Sequence, residues 1–293
     1  MTSQEPVVYV NGEWFPLSQA RVPVLDRGFL YGDGIFETFR VYRRTFFRME
    51  DHLDRLYRSA EAIDLSCPLP RKELAGQLIR TVEKNPWDEA IVRLTLSRGV
   101  QEHGLRIQPS ASPTLVLFAR AHQPPARECY ANGIGVSLFP DSAARLPGIP
   151  FQIKSCNYLS QIRLREIAAR EGFFEALLMK GDGTLTETTT CNLFLVQDEV
   201  LKTPALGPWV LAGVTRKVVL EIALKLALRV VEGECREKDL LDSNEAFLTN
   251  TGVEILPLTR AGTRAIGSGK PGRLTLRLRD EFAKIVEAEI QKC

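Results

Sequence analysis

Two short polar segments of the chain carry an amine and a carboxylic acid that could do chemistry. Lys154 lies in the segment 152–158, among serine, cysteine, asparagine and tyrosine, and Glu187 lies in the threonine-rich segment 185–190. A lysine amine can form a Schiff base with a carbonyl group, and a carboxylate can keep a ring nitrogen protonated. Together the two segments suggest a lysine that carries a cofactor.

A lysine that binds pyridoxal phosphate needs a site for the phosphate, an acid for the pyridine nitrogen and a cover that excludes water. Thr215 precedes an amphipathic run and is predicted to be a helix N-cap, which could hold phosphate or be an ordinary cap. Asn250 and Thr251 follow a predicted strand and form either an anion-binding turn or a plain loop. Arg55 borders the apolar stripe of a predicted helix and could reach a phosphate or remain a solvated charge.

Two further residues could contact a substrate. Tyr31 begins a Tyr-Gly-Asp-Gly sequence that predicts a turn, and any function of its side chain is additional. Arg93 alternates with apolar residues in a predicted strand, so it could meet a substrate carboxylate or be an edge-strand charge.

The composition is that of a globular protein and excludes several classes. The 293 residues carry a net charge of +2 with no basic run, so we expect no nucleic-acid partner. No apolar run has transmembrane length and the first residues do not resemble a signal peptide, so we expect no membrane partner and a cytoplasmic location. The six cysteines form neither a CxxC pair nor a Cys/His cluster, so no metal site is predicted.

The hydrophobic pattern predicts two domains that mix helices and strands. Consecutive prolines at 124 and 125 indicate a linker over 122–128, between an N-terminal domain (1–121) and a C-terminal domain (129–293) that contains Lys154. The predicted strands are 7–10, 36–41, 91–96, 114–119, 134–139, 175–179, 192–196 and 246–249. The predicted helices are 51–63, 71–83, 158–170, 215–228 and 274–290.

In order along the chain, the motifs resemble those of the class IV, or fold type IV, pyridoxal phosphate aminotransferases. The resemblance covers nearly the whole chain and rests on several short sequences. They are Asp26-Arg27-Gly28, Tyr31-Gly32-Asp33-Gly34-Ile35-Phe36-Glu37, His52-Leu53-Asp54-Arg55-Leu56, Lys154, Glu187 with Asn192-Leu193-Phe194, and Gly213-Val214-Thr215-Arg216. The resemblance implies an α/β (α+β) fold of two domains, with the cofactor in the cleft between them, and a homodimer.

The resemblance also implies roles for individual residues. Lys154 would bind the cofactor covalently and move the proton at the substrate α-carbon, and Glu187 would keep the pyridine nitrogen protonated. The residues implied to contact the phosphate are Arg55, Val214, Thr215 and Thr251, with Asn250 as a neighbour. Tyr158 resembles a tyrosine that contacts the phenolic oxygen of the cofactor, although its spacing from Lys154 is shorter here.

The clues to the family member conflict. Arg93 matches an arginine of the branched-chain enzymes, whereas Phe36 with Thr38, where those enzymes usually have glycine, and Ser97-Arg98-Gly99 resemble the lyase and D-amino acid branches. His103 could cover a substrate or be a solvated loop residue. Phe36, Thr38, Arg98 and His103 therefore join Tyr31 and Arg93 as candidate substrate contacts.

The function expected is transfer of an amino group from a branched-chain or small aliphatic amino acid to a 2-oxo acid such as 2-oxoglutarate. The alternatives are a 4-amino-4-deoxychorismate lyase that releases pyruvate and a D-amino acid aminotransferase. A non-catalytic binding protein, in which Lys154 and Glu187 form only an ion pair, is a third possibility.

Overall fold

The computed structural model describes residues 5–101, 104–108 and 112–291. Two compact units divide the chain. The first comprises Met1–Gln123, Ile153–Asn157 and Glu289–Cys293, and the second comprises Pro124–Gln152 and Tyr158–Ala288. The boundary after Gln123 falls inside the predicted linker, but Lys154, which we expected in the C-terminal domain, groups with the first unit. Lys154 groups with the first unit because its segment makes backbone hydrogen bonds to residues 34 and 36 of that unit.

The first unit is an antiparallel sheet of six strands with helical cover. Its elements are β1 (Val7–Val10), β2 (Glu13–Pro16), α1 (Arg27–Tyr31), β3 (Gly34–Tyr42), β4 (Thr45–Phe46), α2 (Met49–Glu61), α3 (Arg71–Glu83), β5 (Ala90–Ser97) and β6 (Thr114–Ala121). The strand order is β2-β1-β6-β5-β3-β4. The long strands β3 and β5 pair over their whole length, from Gly34 opposite Ser97 to Val41 opposite Ala90. This register fixes which side chains share a face of the sheet.

Helix α2 packs on β3 because its apolar residues recur at helical spacing. Leu53, Leu56 and Ala60 are buried, as the pattern predicts. Two residues that can carry charge, His52 and Arg55, are buried on the same helix, so they need partners inside the unit.

The second unit is a mixed sheet with five helices among the described residues. Its elements are α4 (Arg127–Asn132), β7 (Ile134–Phe139), α5 (Leu159–Arg170), β8 (Glu175–Met179), β9 (Thr184–Thr188), β10 (Asn192–Gln197), β11 (Val200–Pro204), α6 (Val214–Lys225), β12 (Val230–Gly233), β13 (Cys235–Arg236), α7 (Glu237–Leu241), β14 (Glu245–Asn250), β15 (Glu254–Ala261), β16 (Arg264–Ala265) and α8 (Arg273–Ile290).

The strands of this unit close into a ring. The path runs β12-β11-β10-β14-β15-β7-β8-β9-β13, and β9 also pairs with β10. The closing contact is a single antiparallel pair, Glu187 opposite Asn192. Buried residues such as Leu193, Leu195 and Leu248 form a hydrophobic core cluster in this unit. Glu187, a candidate cofactor ligand, therefore lies where the ring closes.

The predicted elements recur with small shifts in their ends, and several short elements were not predicted. The strand predicted at 36–41 extends to Gly34–Tyr42, and the helix predicted at 215–228 is Val214–Lys225. Strand β9 carries three threonines and was not predicted, and α4 begins inside the expected linker. Among the residues that the structure describes, none of the helices combines the length and apolar character required to cross a membrane.

Candidate active site

The segment that carries Lys154 is docked on the start of β3. Ser155 forms an antiparallel bridge with Ile35. The backbone N–H of Phe36 donates to the carbonyl of Lys154 at 2.9 Å, and the N–H of Cys156 donates to the carbonyl of Gly34 at 2.9 Å. The backbone on both sides of the lysine is thus held like an additional short strand, which fixes the direction of its side chain.

The Lys154 side chain lies over an aromatic ring that a second cation also approaches. Its Nζ is 4.3 Å from the centre of the Phe36 ring, and the Arg93 guanidinium carbon is 3.7 Å from the same centre. Arg93 also donates from Nε to the hydroxyl of Thr95 at 3.1 Å, and it pairs with Thr38 across the sheet. Since opposite residues of antiparallel strands share a face, Phe36, Thr38 and Arg93 lie on one face beside the lysine.

The opposite face of β3 presents Glu37 to helix α2. The Glu37 carboxylate accepts from Arg55 Nε at 2.7 Å and from Arg55 Nη2 at 2.8 Å, and it lies 2.8 Å from His52 Nδ1. All three side chains are buried. Burial by itself would raise the pKa of Glu37, but the charge of Arg55 and hydrogen bonds from Arg55 and His52 lower this pKa to about 2. Arg55 therefore faces a permanent anion.

His52 completes this group as a neutral donor. Burial lowers the pKa of His52, and the neighbouring Glu37 carboxylate opposes that change only in part. A neutral imidazole has one N–H, and the 2.8 Å contact with the carboxylate places that N–H on Nδ1. His52 and Arg55 together orient the Glu37 carboxylate.

Arg98, a candidate substrate contact, lies in a different network. It donates from Nε to Asp33 Oδ2 at 2.9 Å, from Nη1 to the carbonyl of Asp64 at 2.9 Å and from Nη2 to the carbonyl of Ile63 at 2.8 Å. Asp33 also pairs with Arg27 at 2.7 Å, and desolvation of Asp33 is outweighed by these two arginines, so its pKa is lowered. All three of its nitrogens bind groups of the unit itself, so Arg98 has a structural role there, and its role as a substrate contact stays a prediction.

Tyr31 ends the short helix α1 and is exposed. The helix stops there because Gly32 adopts a left-handed conformation, with φ of 70°. Asn157, three residues after Lys154, donates to the carbonyl of Gly32 at 3.1 Å. The lysine segment and the Tyr31 turn therefore hold each other in place. The candidate His103 lies outside the described residues.

In the second unit, Glu187 is held by two neighbours. Its Oε2 accepts from the Asn192 side-chain amide at 3.1 Å and from the backbone N–H of Leu211 at 2.9 Å. The same Asn192 amide donates to the carbonyl of Leu211 at 2.9 Å. Both donors bind the same carboxylate oxygen, so they fix the orientation of the side chain.

Helix α6 begins immediately after this group. The N-cap is Gly213 and the helix starts at Val214, so Thr215 is the second helical residue, not the N-cap that we expected. Gly213 has the extended backbone of a cap residue, with φ of −64° and ψ of 135°. Its position has no room for a side chain, because a Cβ there would lie 2.0 Å from Asn192 Oδ1. Val214 and Thr215 still present N–H groups in the first turn of a helix, where an anion is favoured.

The turn that carries Thr251 is shaped by Asn250. Its Oδ1 accepts from the N–H groups of Gly252 and Val253, both at 2.8 Å, and its Nδ2 donates to Cys191 Sγ at 3.1 Å. The Asn250 side chain is thus occupied with building the turn. The buried hydroxyl of Thr249, one residue earlier, makes no hydrogen bond within the described part of the chain, which fits a site that a polar ligand completes.

Tyr158 is half-buried and precedes helix α5 as its N-cap residue. The carbonyl of Tyr158 accepts from the N–H of Ile162 at 2.9 Å. The candidates of the second unit are therefore placed on four features: the start of α5, the ring closure, the start of α6 and the turn after β14.

Sequence reasoning did not assign roles to Glu37, His52 or Asn192. The signal for the first two was present, since a glutamate inside an apolar strand requires a partner and His52 and Arg55 are three residues apart on one helix. Asn192 carried no comparable signal, because its role depends on the ring closure that brings it to Glu187.

Each unit by itself offers groups that suit part of a ligand with a phosphate, a ring nitrogen and a carbonyl group. In the first unit, the Arg55 guanidinium suits a phosphate and Lys154 supplies an amine. In the second unit, the first turn of α6 suits a phosphate and Glu187 suits a ring nitrogen. Among the described residues, no group of three or more His, Cys, Asp or Glu side chains could hold a metal ion. The chemistry available is that of a cofactor-bearing lysine.

Comparisons with known proteins agree. The family model described as amino-transferase class IV matches residues 34–261. A Methanocaldococcus jannaschii protein provisionally named a branched-chain-amino-acid aminotransferase is 34% identical over 95% of this chain and 96% of its own length. A D-alanine aminotransferase of Listeria monocytogenes serotype 4b is 33% identical over 98% of this chain and 97% of its own.

Solved structures share the fold. The branched-chain amino acid aminotransferase of Escherichia coli matches with a TM-score of 0.91 and 26% identity, over 96% of this chain and 94% of that one. The 4-amino-4-deoxychorismate lyase of Pseudomonas aeruginosa matches with a TM-score of 0.82 and 26% identity, over 94% and 98%. Fold and site thus define a pyridoxal phosphate-dependent enzyme. The chain belongs to the class IV aminotransferases.

Proposed function

We propose that this protein transfers an amino group between an amino acid and a 2-oxo acid, with Lys154 as the catalytic residue. The observation that carries the proposal is the placement of Lys154, whose backbone is fixed on β3 and whose Nζ lies 4.3 Å from the Phe36 ring in a class IV family member. Pyridoxal phosphate supplies an electron sink for the negative charge that develops at the substrate α-carbon. Lys154 holds the cofactor and then moves the proton at that carbon.

The remaining proposed cofactor contacts are a cation, helix N–H groups and hydroxyls. Arg55 binds the phosphate through its guanidinium, and Val214, Thr215 and Thr251 bind it through N–H groups and hydroxyls. Glu187 pairs with the pyridine nitrogen. Asn250 supports this site by building the turn that presents Thr251, and Tyr158 contacts the cofactor ring.

The proposed amino donors are branched-chain or small aliphatic amino acids, and 2-oxoglutarate is the proposed acceptor. Arg93 supports this choice, because it is a cation on the same strand face as Phe36 and Thr38, beside Lys154, and a guanidinium can bind the second carboxylate of an acceptor. Tyr31 and His103 are further proposed substrate contacts.

The second candidate is the lyase reaction, and the third is transfer from D-amino acids. The fold shared with the Pseudomonas aeruginosa lyase and the identity with the Listeria monocytogenes D-alanine enzyme support them. Thr38 and the sequence Ser97-Arg98-Gly99 also resemble those branches. Ser97 donates to Asp26 at 2.7 Å and Arg98 binds Asp33, so both side chains also hold the fold.

A homodimer is the proposed assembly. Large apolar side chains are exposed on the first unit along 22–31 and 100–107; they include Val24, Phe29 and Leu105, each more than 70% exposed. A backbone bridge between Asp26 and Val100 joins the two stretches, and the Arg27 side chain donates from Nη1 to the carbonyl of Gly104. An apolar surface of this kind is typical of an interface between protein chains. The proposed location is the cytoplasm.

The experiment is to follow the visible absorbance of the purified protein while L-leucine, D-alanine or L-glutamate is added. Loss of the cofactor band with L-leucine and L-glutamate, and its return with 2-oxoglutarate, supports the proposal. Loss with D-alanine alone indicates the D-specific reaction. A band that no amino acid changes, together with pyruvate release from 4-amino-4-deoxychorismate, indicates the lyase.

A further inference from the structure

We propose that Asn192 is a positioning residue that fixes the acid for the pyridine nitrogen relative to the start of the phosphate-binding helix. The inference rests on the proposed cofactor roles of Glu187 and Thr215. All the contacts that support it lie inside the second unit, so they form one local arrangement.

The first contact orients the acid. Asn192 lies opposite Glu187 in the pair that closes the ring of strands, and its Nδ2 donates to Glu187 Oε2 at 3.1 Å. Asn192 is itself buried and belongs to β10, whose neighbours on β14 fix its backbone. Because β10 pairs with β11 and with β14, the Asn192 side chain offers Glu187 a donor at a fixed position.

The second contact orients the loop before helix α6. The same Nδ2 donates to the carbonyl of Leu211 at 2.9 Å, while the N–H of Leu211 donates to Glu187 Oε2 at 2.9 Å. Asn192, Glu187 and Leu211 therefore form a closed set of three hydrogen bonds. If the loop moved, Leu211 would lose its hydrogen bonds to both Asn192 and Glu187.

The third contact sets the start of the helix. Asn192 Oδ1 occupies the space where a side chain of Gly213 would lie, with the built Cβ only 2.0 Å away. Gly213 is the N-cap of α6, and Val214 and Thr215 follow it directly. One amide side chain thus contacts the acid with its nitrogen and the cap of the helix with its oxygen, which ties together the two ends of the proposed cofactor site in this unit.

The test measures the dissociation constant of pyridoxal phosphate by equilibrium dialysis against apo-protein, independently of turnover. We expect Asn192→Ala to raise this constant at least about ten-fold, because Glu187 loses a hydrogen bond to its charged form and the loop loses its anchor. Asn85→Ala is the matched control. Asn85 is also buried, and its Nδ2 donates to the backbone carbonyls of Val7 and Thr81. It lies in the first unit, outside the hydrogen-bonded group of Asn192, Glu187 and Leu211. The Asn85→Ala variant should have a lower Tm than wild type and an unchanged dissociation constant for pyridoxal phosphate.

Two further variants separate positioning from a general structural role. In a protein that already carries Glu187→Gln, Asn192→Ala should raise the dissociation constant by less than about three-fold, because the carboxylate that Asn192 contacts has been removed. Gly213→Ala keeps every polar group, but its new methyl group pushes against Asn192. As a single substitution it should therefore weaken binding of pyridoxal phosphate. Added to Asn192→Ala, it should raise the dissociation constant by less than about three-fold more. Gly213→Ala also gives a result if Asn192→Ala does not fold.

The outcomes are distinct. If the wild-type protein binds pyridoxal phosphate and both Asn192→Ala and Gly213→Ala bind it within about three-fold of wild type, the positioning role is wrong and the proposed function stands. Equal losses for Asn192→Ala and Asn85→Ala would also overturn the positioning role. If the wild-type protein itself binds no pyridoxal phosphate, the proposed function fails, and the inference with it.

Discussion

The guanidinium of Arg55 and the carboxylate of Glu37 meet through two parallel hydrogen bonds, from Nε to Oε1 at 2.7 Å and from Nη2 to Oε2 at 2.8 Å. The pair is buried between strand β3 and helix α2. An arginine held on one side by a bidentate contact has little freedom left, so the rest of its guanidinium is presented in one direction. In this family member, that geometry prepares Arg55 for the phosphate contact that we propose.

Substitution Glu37→Gln tests this preparation. The variant keeps the shape but removes the charge, and breaking one side of a buried pair costs about 3–5 kcal/mol of unfolding free energy. We expect that loss in urea unfolding of the apo-protein, together with weaker binding of pyridoxal phosphate. The matched control is Glu166→Gln, which removes the partner of Arg170 in an exposed pair and should cost about 1 kcal/mol or less. Equal losses for the two variants would contradict the prediction.

Glu37 also predicts a dependence of stability on acid. Its pKa falls from 4.5 to about 2 in the folded protein, so its contribution is complete above pH 4.5 and is lost as the pH falls towards 2. The contribution is on the order of 3 kcal/mol, because each unit of pKa difference corresponds to about 1.4 kcal/mol. Unfolding free energies of wild type and Glu37→Gln should converge as the pH falls through this window. A constant difference would refute the prediction.

His52 acts in a separate and higher pH range. Its folded pKa lies below the usual value of 6.5, mainly because of burial, so the neutral form favours folding and stability is lost as the pH falls below 6.5. We expect Tm to fall less between pH 7 and pH 5 in His52→Asn, which retains a donor for Glu37, than in wild type. His122→Asn, at a histidine outside this group, should follow the wild-type curve. A wild-type curve for His52→Asn would show that His52 does not titrate in this way.

Arg93 and Arg98 should respond differently to the same substitution. Arg93→Lys should raise KM for 2-oxoglutarate at least about ten-fold with little change in Tm, because lysine cannot replace a bidentate guanidinium contact. Arg98→Lys should lower Tm with little change in KM, because Arg98 links Asp33 to the carbonyls of Ile63 and Asp64. The two variants are compared by steady-state kinetics and thermal unfolding. A reversed pattern would favour Arg98 as the substrate contact.

The sequence predicted most of the long elements of both units because their apolar residues follow clear periods, but it missed the eight-residue strand β15. Helix α2 and strand β5 are examples of the predicted elements, and the motifs around Lys154 and Glu187 indicated the chemistry. It could not place Lys154 in the first unit, since that depends on hydrogen bonds to β3 from a segment more than a hundred residues away. Thr215 was expected to cap α6 because threonine is a favoured cap residue, but the cap is Gly213, whose position leaves no room for a side chain beside Asn192.

The central claim is that Lys154 carries the cofactor, and the most direct measurement is borohydride reduction of the protein loaded with pyridoxal phosphate, followed by peptide mass mapping. Reduction makes a Schiff base permanent, so the account predicts a pyridoxyl group on the peptide that contains Lys154. Lys154→Ala should lose this label, whereas Lys180→Ala should retain it. A label on another lysine, or undiminished labelling of Lys154→Ala, would contradict the account.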